Sequence, residues 1–363
     1  MEDRANGVQE QLASGMQDRA NDAQERLASG MQDRANDAQE RLANGLQDRA
    51  SGAQERLANG LQDRASGAQE QLANGMQDQV IEKGAVPSAA RDRADREASA
   101  EMRPGVLVIS HGSREPGWVA QVEEAVAEAR SKLPADLPVA ASYLELVEGR
   151  LIQDGVRALE AQGVTDIYAL PLFVSSGSTH VDEIGWALGA YAEPRRETDL
   201  EPVEVMARLT YGQPIGSDPQ IARVLADKLG ARSREPAAEC VLLIGHGSDE
   251  PWFYEAWRRE LEGLAAELAR IGGFAGADAA LLRPDETAAR IAGLRERYPQ
   301  ARLLAVPVFL SEGYFTSSAV PGRLAGQDID YAESALLPHP QIGEWIVHRA
   351  RAWLETREAA SPF

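Results

Sequence analysis

VLVISHGSREP (residues 106–116) and VLLIGHGSDEP (residues 241–251) are two versions of one segment, 135 residues apart. A short apolar run ending on His-Gly-Ser reads as a buried parallel strand that runs into a turn. LPLFVSSGSTH (170–180) returns in the same way as VPVFLSEGYFT (306–316), offset by 136. The chain is therefore a tandem of two similar lobes. Where the first copy has His180, the second has Thr316. A duplication that keeps both scaffolds but drops an imidazole implies one working site built on two lobes, because histidine is both a frequent metal ligand and a general base near neutral pH.

Working outward, the spacing of apolar residues predicts alternating strands and helices. The first lobe reads as helix 119–133, with Val119, Val122, Val126 and Ala129 on one face, then strand 139–146 and helix 151–162 stopped by Gly163. Strand 167–174, a helix over 180–191, strand 203–209 and a closing helix over 218–229 complete it. The second lobe reads as strand 240–245, helix 253–270, strand 277–282, helix 286–297, strand 302–309 and a final helix over 341–356. GSDPQIARVL (216–225) and LPHPQIGEWI (337–346) mark the same closing helix in both. This alternation predicts an α/β fold of two doubly wound parallel-sheet lobes. The expected division is repeats over 1–80, a charged linker over 81–103, the lobes at 104–230 and 239–357, and a linker over 231–238.

Residues 1–80 are a different kind of sequence. Variants of QDRANDAQERLASGM recur every 15 residues, with apolar pairs such as Leu27/Met31 and Leu42/Leu46 at helical spacing. Fifteen residues in four turns exceed the ~3.6 per turn of a straight helix, so a self-associating version favours a right-handed supercoil. A glycine precedes each large residue (Gly15, Gly30, Gly45, Gly60, Gly75), and each weakens a helix interior. Two readings stand: an amphipathic helix ordered by self-association or by a protein partner, and a flexible tail. The region holds no His or Cys, so chemistry is not expected there.

A formal charge of −20 argues against nucleic acid or an anionic membrane as the main partner. No apolar run is long enough to span a bilayer, and MEDRANG opens without a signal-peptide core; the cytoplasm is the expected compartment. The single cysteine, Cys240, excludes an internal disulfide and a four-cysteine metal site, and its strand-like setting reads as a buried small hydrophobe. No Gly-Lys pair occurs anywhere, so no nucleotide-driven step is expected.

In open parallel sheets, ligands bind at the carboxyl ends of strands. His111 falls just after strand one, Glu145 late in strand two and His180 after strand three. Two imidazoles and a carboxylate on one edge suit a borderline divalent cation, and the same groups can take protons. Singly each has a structural explanation, such as a helix cap or a Glu145–Arg150 pair; together at equivalent strand ends they read as a site.

With these residues in hand, the lobe over 106–229 resembles the class II tetrapyrrole chelatases, specifically the sirohydrochlorin chelatases of the CbiX type. Their motifs appear here as Ile109-Ser110-His111-Gly112-Ser113-Arg114, as Tyr143-Leu144-Glu145, and as Pro171-Leu172-Phe173-Val174 followed by Gly177-Ser178-Thr179-His180. The likeness runs through the second lobe to about residue 354 and leaves the repeats unexplained. It implies insertion of Co²⁺ or Fe²⁺ into sirohydrochlorin without ATP, on the cobalamin or sirohaem pathway, and a ligand cleft between the two similar α/β lobes. Val-Asp-Glu-Ile-Gly after His180 departs from the family's usual reading toward Asp-Ile-Pro, so a different helix entry is expected there.

Metallation removes two pyrrole N–H protons while a hydrated ion sheds its waters. His111 and His180 would hold the ion or take protons, and Glu145 would neutralise its charge. Sirohydrochlorin is a polycarboxylate, and arginine outnumbers lysine 34 to 3 here. Arg114 is the candidate carboxylate contact, with a surface pair to Glu115 as the alternative. Ser110, Gly112, Ser113, Ser176, Gly177 and Ser178 are candidate hydrogen-bonding groups for the macrocycle. In the second lobe the Glu145 position aligns near Ala280 or Leu281, and only His246 survives: a structural relic, a proton shuttle or a carboxylate contact. His339 and His348 read as surface or capping residues. Trp252, Phe253 and Trp257 have core-like helical spacing, with macrocycle stacking as the alternative. Against the enzyme stands a second class of function: an idle chelatase-like protein that binds tetrapyrrole or metal and is anchored by its repeats.

Overall fold

The computed structural model describes residues 102–230 and 232–360. The 15-residue repeats and almost all of the charged linker lie outside them. The first lobe runs β1 (Pro104–Ser110), α1 (Pro116–Lys132), β2 (Val139–Tyr143), α2 (Ile152–Ala161), β3 (Asp166–Pro171), α3 (Thr179–Ala187), β4 (Arg208–Tyr211) and α4 (Pro219–Gly230). The second runs β5 (Glu239–Gly247), α5 (Pro251–Gly272), β6 (Gly276–Arg283), α6 (Thr287–Arg297), β7 (Arg302–Pro307), α7 (Val320–Leu324), β8 (Asp330–Tyr331) and α8 (Pro340–Ala360). The two sheets have the same order, β2-β1-β3-β4 and β6-β5-β7-β8, with every pairing parallel. Central strands β1 and β5 are buried along almost their whole length, with apolar runs at 106–109 and 240–244, because helices cover both faces.

Four expected boundaries move. β2 stops at Tyr143, so Glu145 sits in the loop beyond it. β3 ends at Pro171, whose lack of an N–H suits a strand terminus. α3 closes at Ala187, and β4 begins only at Arg208, because residues 190–207 cross the surface as irregular chain.

A larger difference concerns the closing helices. α4 was expected to cover its own lobe; it packs instead on α5 and β7 of the second lobe, while α8 packs on α1 and β3 of the first. Each lobe thus wears the other's last helix. One apolar cluster accordingly runs through both lobes, joining Val122 and Leu170 to Ile221, Leu243, Leu264 and Trp345, while two smaller clusters fill the outer layers. Polar ties mark the seam: Trp345 Nε1 donates to Asp218 at 3.2 Å, Arg351 to the Lys132 carbonyl at 2.7 Å, and Lys132 to Glu344 at 2.6 Å. Cys240 is buried in β5, as expected of a small hydrophobe. His348 is exposed, and His339 Nδ1 accepts the Gln341 N–H near the start of α8.

Candidate functional site

β1 delivers His111 to the sheet edge, and the turn after it fixes the ring. His111 Nδ1 lies 3.0 Å from the Gly112 carbonyl oxygen. A carbonyl only accepts, so Nδ1 donates and Nε2 keeps its lone pair for an ion or a proton. Nε2 stands 3.6 Å from Glu145 Oε1.

Glu145 holds its position although β2 has ended. Leu144 N donates to the Ser110 carbonyl at 2.9 Å and Glu145 N to the His111 carbonyl at 3.1 Å, carrying the ladder two residues past the strand. The chain then leaves through Leu146 at φ +66°, a conformation with a cost for a side chain of this size. Gly112, at φ +99°, lies under that loop: a Cβ there would come within 2.0 Å of the Glu145 carbonyl oxygen.

His180 opens the first turn of α3, and its ring meets that of His111 at a centroid distance of 4.8 Å and an interplanar angle of 78°. Its Nδ1 lies 2.6 Å from Glu183 Oε1, one turn along the helix. A carboxylate partner makes Nδ1 the donor, again leaves Nε2 open and fixes the ring's orientation. Burial pushes the Glu183 carboxyl up, but hydrogen bonds from His180 and Thr198, with the charges of His180 and Arg196, outweigh it and hold Glu183 below the ordinary carboxylate value. Thr198 Oγ1 donates to its second oxygen at 2.7 Å.

His111 and His180 line a cavity of about 430 Å³ whose other wall comes from the second lobe, including His246, Arg283 and Phe315. Of the candidate substrate contacts, Ser110, Gly177 and Ser178 also line it. Ser110 Oγ is fully buried with no hydrogen-bond partner among the described residues, which leaves it for a ligand. The remaining candidates serve elsewhere. Gly112 is buried beneath the Glu145 loop. Ser113 Oγ accepts the Glu115 N–H at 3.1 Å. Arg114 is exposed outside the cavity wall, with no ion pair to Glu115 among the described residues. Ser176 is turned to the second lobe, where both its N–H and its hydroxyl bond Glu260 of α5. Glu145 stands beside His111 rather than in the wall. Among the described residues no three His, Cys, Asp or Glu side chains, His111, Glu145 and His180 included, are gathered closely enough to hold a metal ion together.

Several residues escaped the sequence reading. Glu183 was legible in principle from its three-residue spacing to His180. Arg196 lines the cavity and pairs with Glu250 of the second lobe at 3.3 Å. Its neighbour Arg195 bonds buried Asp182 of α3 at 2.6 Å and lies over the Trp252 ring at 3.9 Å. The segment around them therefore bridges the lobes at the cavity, and nothing in its composition marked it. The aromatic run resolves into three settings: Phe253 is core, Trp257 is buried at the cavity wall, and Trp252 is half-exposed beneath Arg195.

Comparison with known proteins points one way. A family model described as CbiX matches residues 105–231, the first lobe and the residue after it. A sirohydrochlorin cobaltochelatase of Methanopyrus kandleri is 30% identical over 135 residues, covering 34% of this chain and 93% of the relative. A sirohydrochlorin ferrochelatase of Bacillus subtilis is 28% identical over 165 residues, covering 45% of this chain and 57% of the relative. Among solved structures, SirB from Bacillus subtilis with Fe³⁺ aligns over 69% of this chain and 95% of its own, with a TM-score of 0.54 and 21% identity. At that identity the likeness concerns the fold.

Proposed function

The chain belongs to the CbiX family of sirohydrochlorin chelatases, and on that premise we propose that it inserts a divalent ion, Co²⁺ or Fe²⁺, into sirohydrochlorin without ATP. The observation that carries this reading is the facing pair of imidazoles, 4.8 Å between ring centroids in one cavity, each with its Nδ1 engaged and its Nε2 open. In this reading His111 and His180 offer Nε2 to the substrate ion, Glu145 balances its charge, and Glu183 orients His180. The same lone pairs take the pyrrole protons as the ion descends into the ring. Ser110 Oγ, Gly177 and Ser178 are the first-lobe contacts for the macrocycle.

The relatives bear both cobalt and iron in their names, and imidazole with carboxylate suits several first-row ions. The test is the visible spectrum of sirohydrochlorin with the purified chain and Co²⁺, and in a second, anaerobic arm with Fe²⁺. The expected result is conversion well above the protein-free control in at least one arm. A rate equal to that control in both arms overturns the proposal and leaves the idle binding protein as the surviving reading.

A further inference from the structure

The second lobe's counterpart of the site carries inverted chemistry. Ser110 of β1 pairs with Tyr143, and its equivalent Gly245 of β5 pairs with Leu281. Two residues onward stand Glu145 in one lobe and Arg283 in the other. The glycines agree: a Cβ on Gly247 would come within 2.2 Å of the Arg283 carbonyl oxygen, just as one on Gly112 would meet that of Glu145. Arg283 is therefore the positional partner of Glu145, displacing the sequence alignment to Ala280 or Leu281.

The ring pair is converted too. His246 keeps the same lock, with Nδ1 2.9 Å from the Gly247 carbonyl oxygen. Its edge-on neighbour, at 4.9 Å and 83°, is Phe315, matching the 4.8 Å and 78° of His111 and His180. Thr316, the residue aligned with His180, is buried and bonded to Gly313. A π-helical turn over Phe315–Ala319 carries an extra residue per turn and brings Phe315 into that position.

A carboxylate has thus become a guanidinium and a metal-ligating ring has become a phenyl. Arg283 repels a divalent cation and attracts carboxylates, which its planar fork grips in pairs. Phe315 cannot ligate but packs against another π-system. Both line the cavity that His111 and His180 line. Asp249 now pairs with Arg283, but both side chains are more than half exposed, and such a pair exchanges readily.

We infer that the second lobe is a macrocycle-holding site, in which Arg283 takes a carboxylate at the ring's rim and Phe315 meets the ring itself, opposite the imidazole wall. This deepens the proposed function and rests on its choice of a polycarboxylate macrocycle as substrate. The test is a metal-free titration of the full chain with sirohydrochlorin, and in parallel with uroporphyrin as a second polycarboxylate macrocycle, read by quenching of tryptophan fluorescence; Trp118 and Trp257 line the cavity. Arg283→Gln is expected to weaken binding about tenfold, Arg283→Lys to recover part of it, and Phe315→Ala to weaken it several-fold. In turnover, the KM for sirohydrochlorin should rise by more than kcat falls. Arg283 is surface-accessible, so folding survives its replacement, and a circular dichroism spectrum verifies this. Unchanged affinity in Arg283→Gln for both macrocycles overturns the inference. Failure of the wild-type chain to metallate would instead overturn the proposed function, while the titration still reads the role of Arg283.

Discussion

Set side by side, the two lobes share strand order, the His-Gly-Ser turn and even the ring-on-ring geometry at the sheet edge, yet they diverge in the side chains set around the cavity. His111 and His180 face His246, Arg283 and Phe315 across one cavity, with Glu145 beside His111. The difference teaches where a duplicated α/β scaffold is free to change. Glu145 and Arg283 are both more than half exposed, so exchanging one for the other reverses the local charge while asking little of either core. The glycines beneath them cannot change, because they let one loop pass over another.

The largest effect that would break this comparison is loss of an imidazole. His111→Ala or His180→Ala should each lower metallation by about 10² or more, in line with loss of a positioned ligand or base, with the fold intact by circular dichroism. His246→Ala should cost far less. A greater loss at His246 than at His180 would assign the working lobe wrongly. A medium effect sharpens the comparison through the backbone. Gly112→Ala and Gly247→Ala should each destabilise the chain by about 1–3 kcal/mol, since both residues hold positive φ beneath a carbonyl. Thermal denaturation should register both alike, but only Gly112→Ala, by shifting Glu145, should also depress turnover at a temperature where the variant is folded. Equal activity losses in the two variants would remove the functional asymmetry. The smallest expected effect is on the repeats. Deleting residues 1–100 should leave turnover within about twofold of the full chain, because the segment has no imidazole or thiol to contribute, while sedimentation or pull-down should register a change in association. Collapse of activity in the shortened chain would mean that the two-lobe unit does not stand alone.

Much of this was legible in the chain itself. The apolar runs at 106–109 and 241–244 forecast the central strands, and the spacing of HGS, Glu145 and His180 forecast that they would meet at one edge. Other features depend on what no local pattern records. Glu145 was read inside a strand because Leu144 and Leu146 continue an apolar rhythm, whereas the chain turns at Leu146. Arg283 was missed because Gly245 pairs with Leu281 where Ser110 pairs with Tyr143: the second lobe's connection between these strands is three residues longer, so the offset of the His-Gly-Ser turns lands on Ala280. Phe315 was hidden beside Thr316 by a π-helical turn that has no sequence signature. The exchange of closing helices was invisible for a simpler reason: an amphipathic stripe such as Ile221, Leu225 and Leu229 demands an apolar partner but does not say whose.

That exchange has a consequence for how far the two lobes can part. Two lobes joined by a free linker can part like jaws, but here spreading them would drag Ile221, Leu225, Ile342 and Trp345 into water, at about 25 cal/mol for every Å² of apolar surface. Any widening of the cavity therefore has to open the shared interior first: the two closing helices act as a clasp, and the spacing of the walls is inherited from the core beneath them.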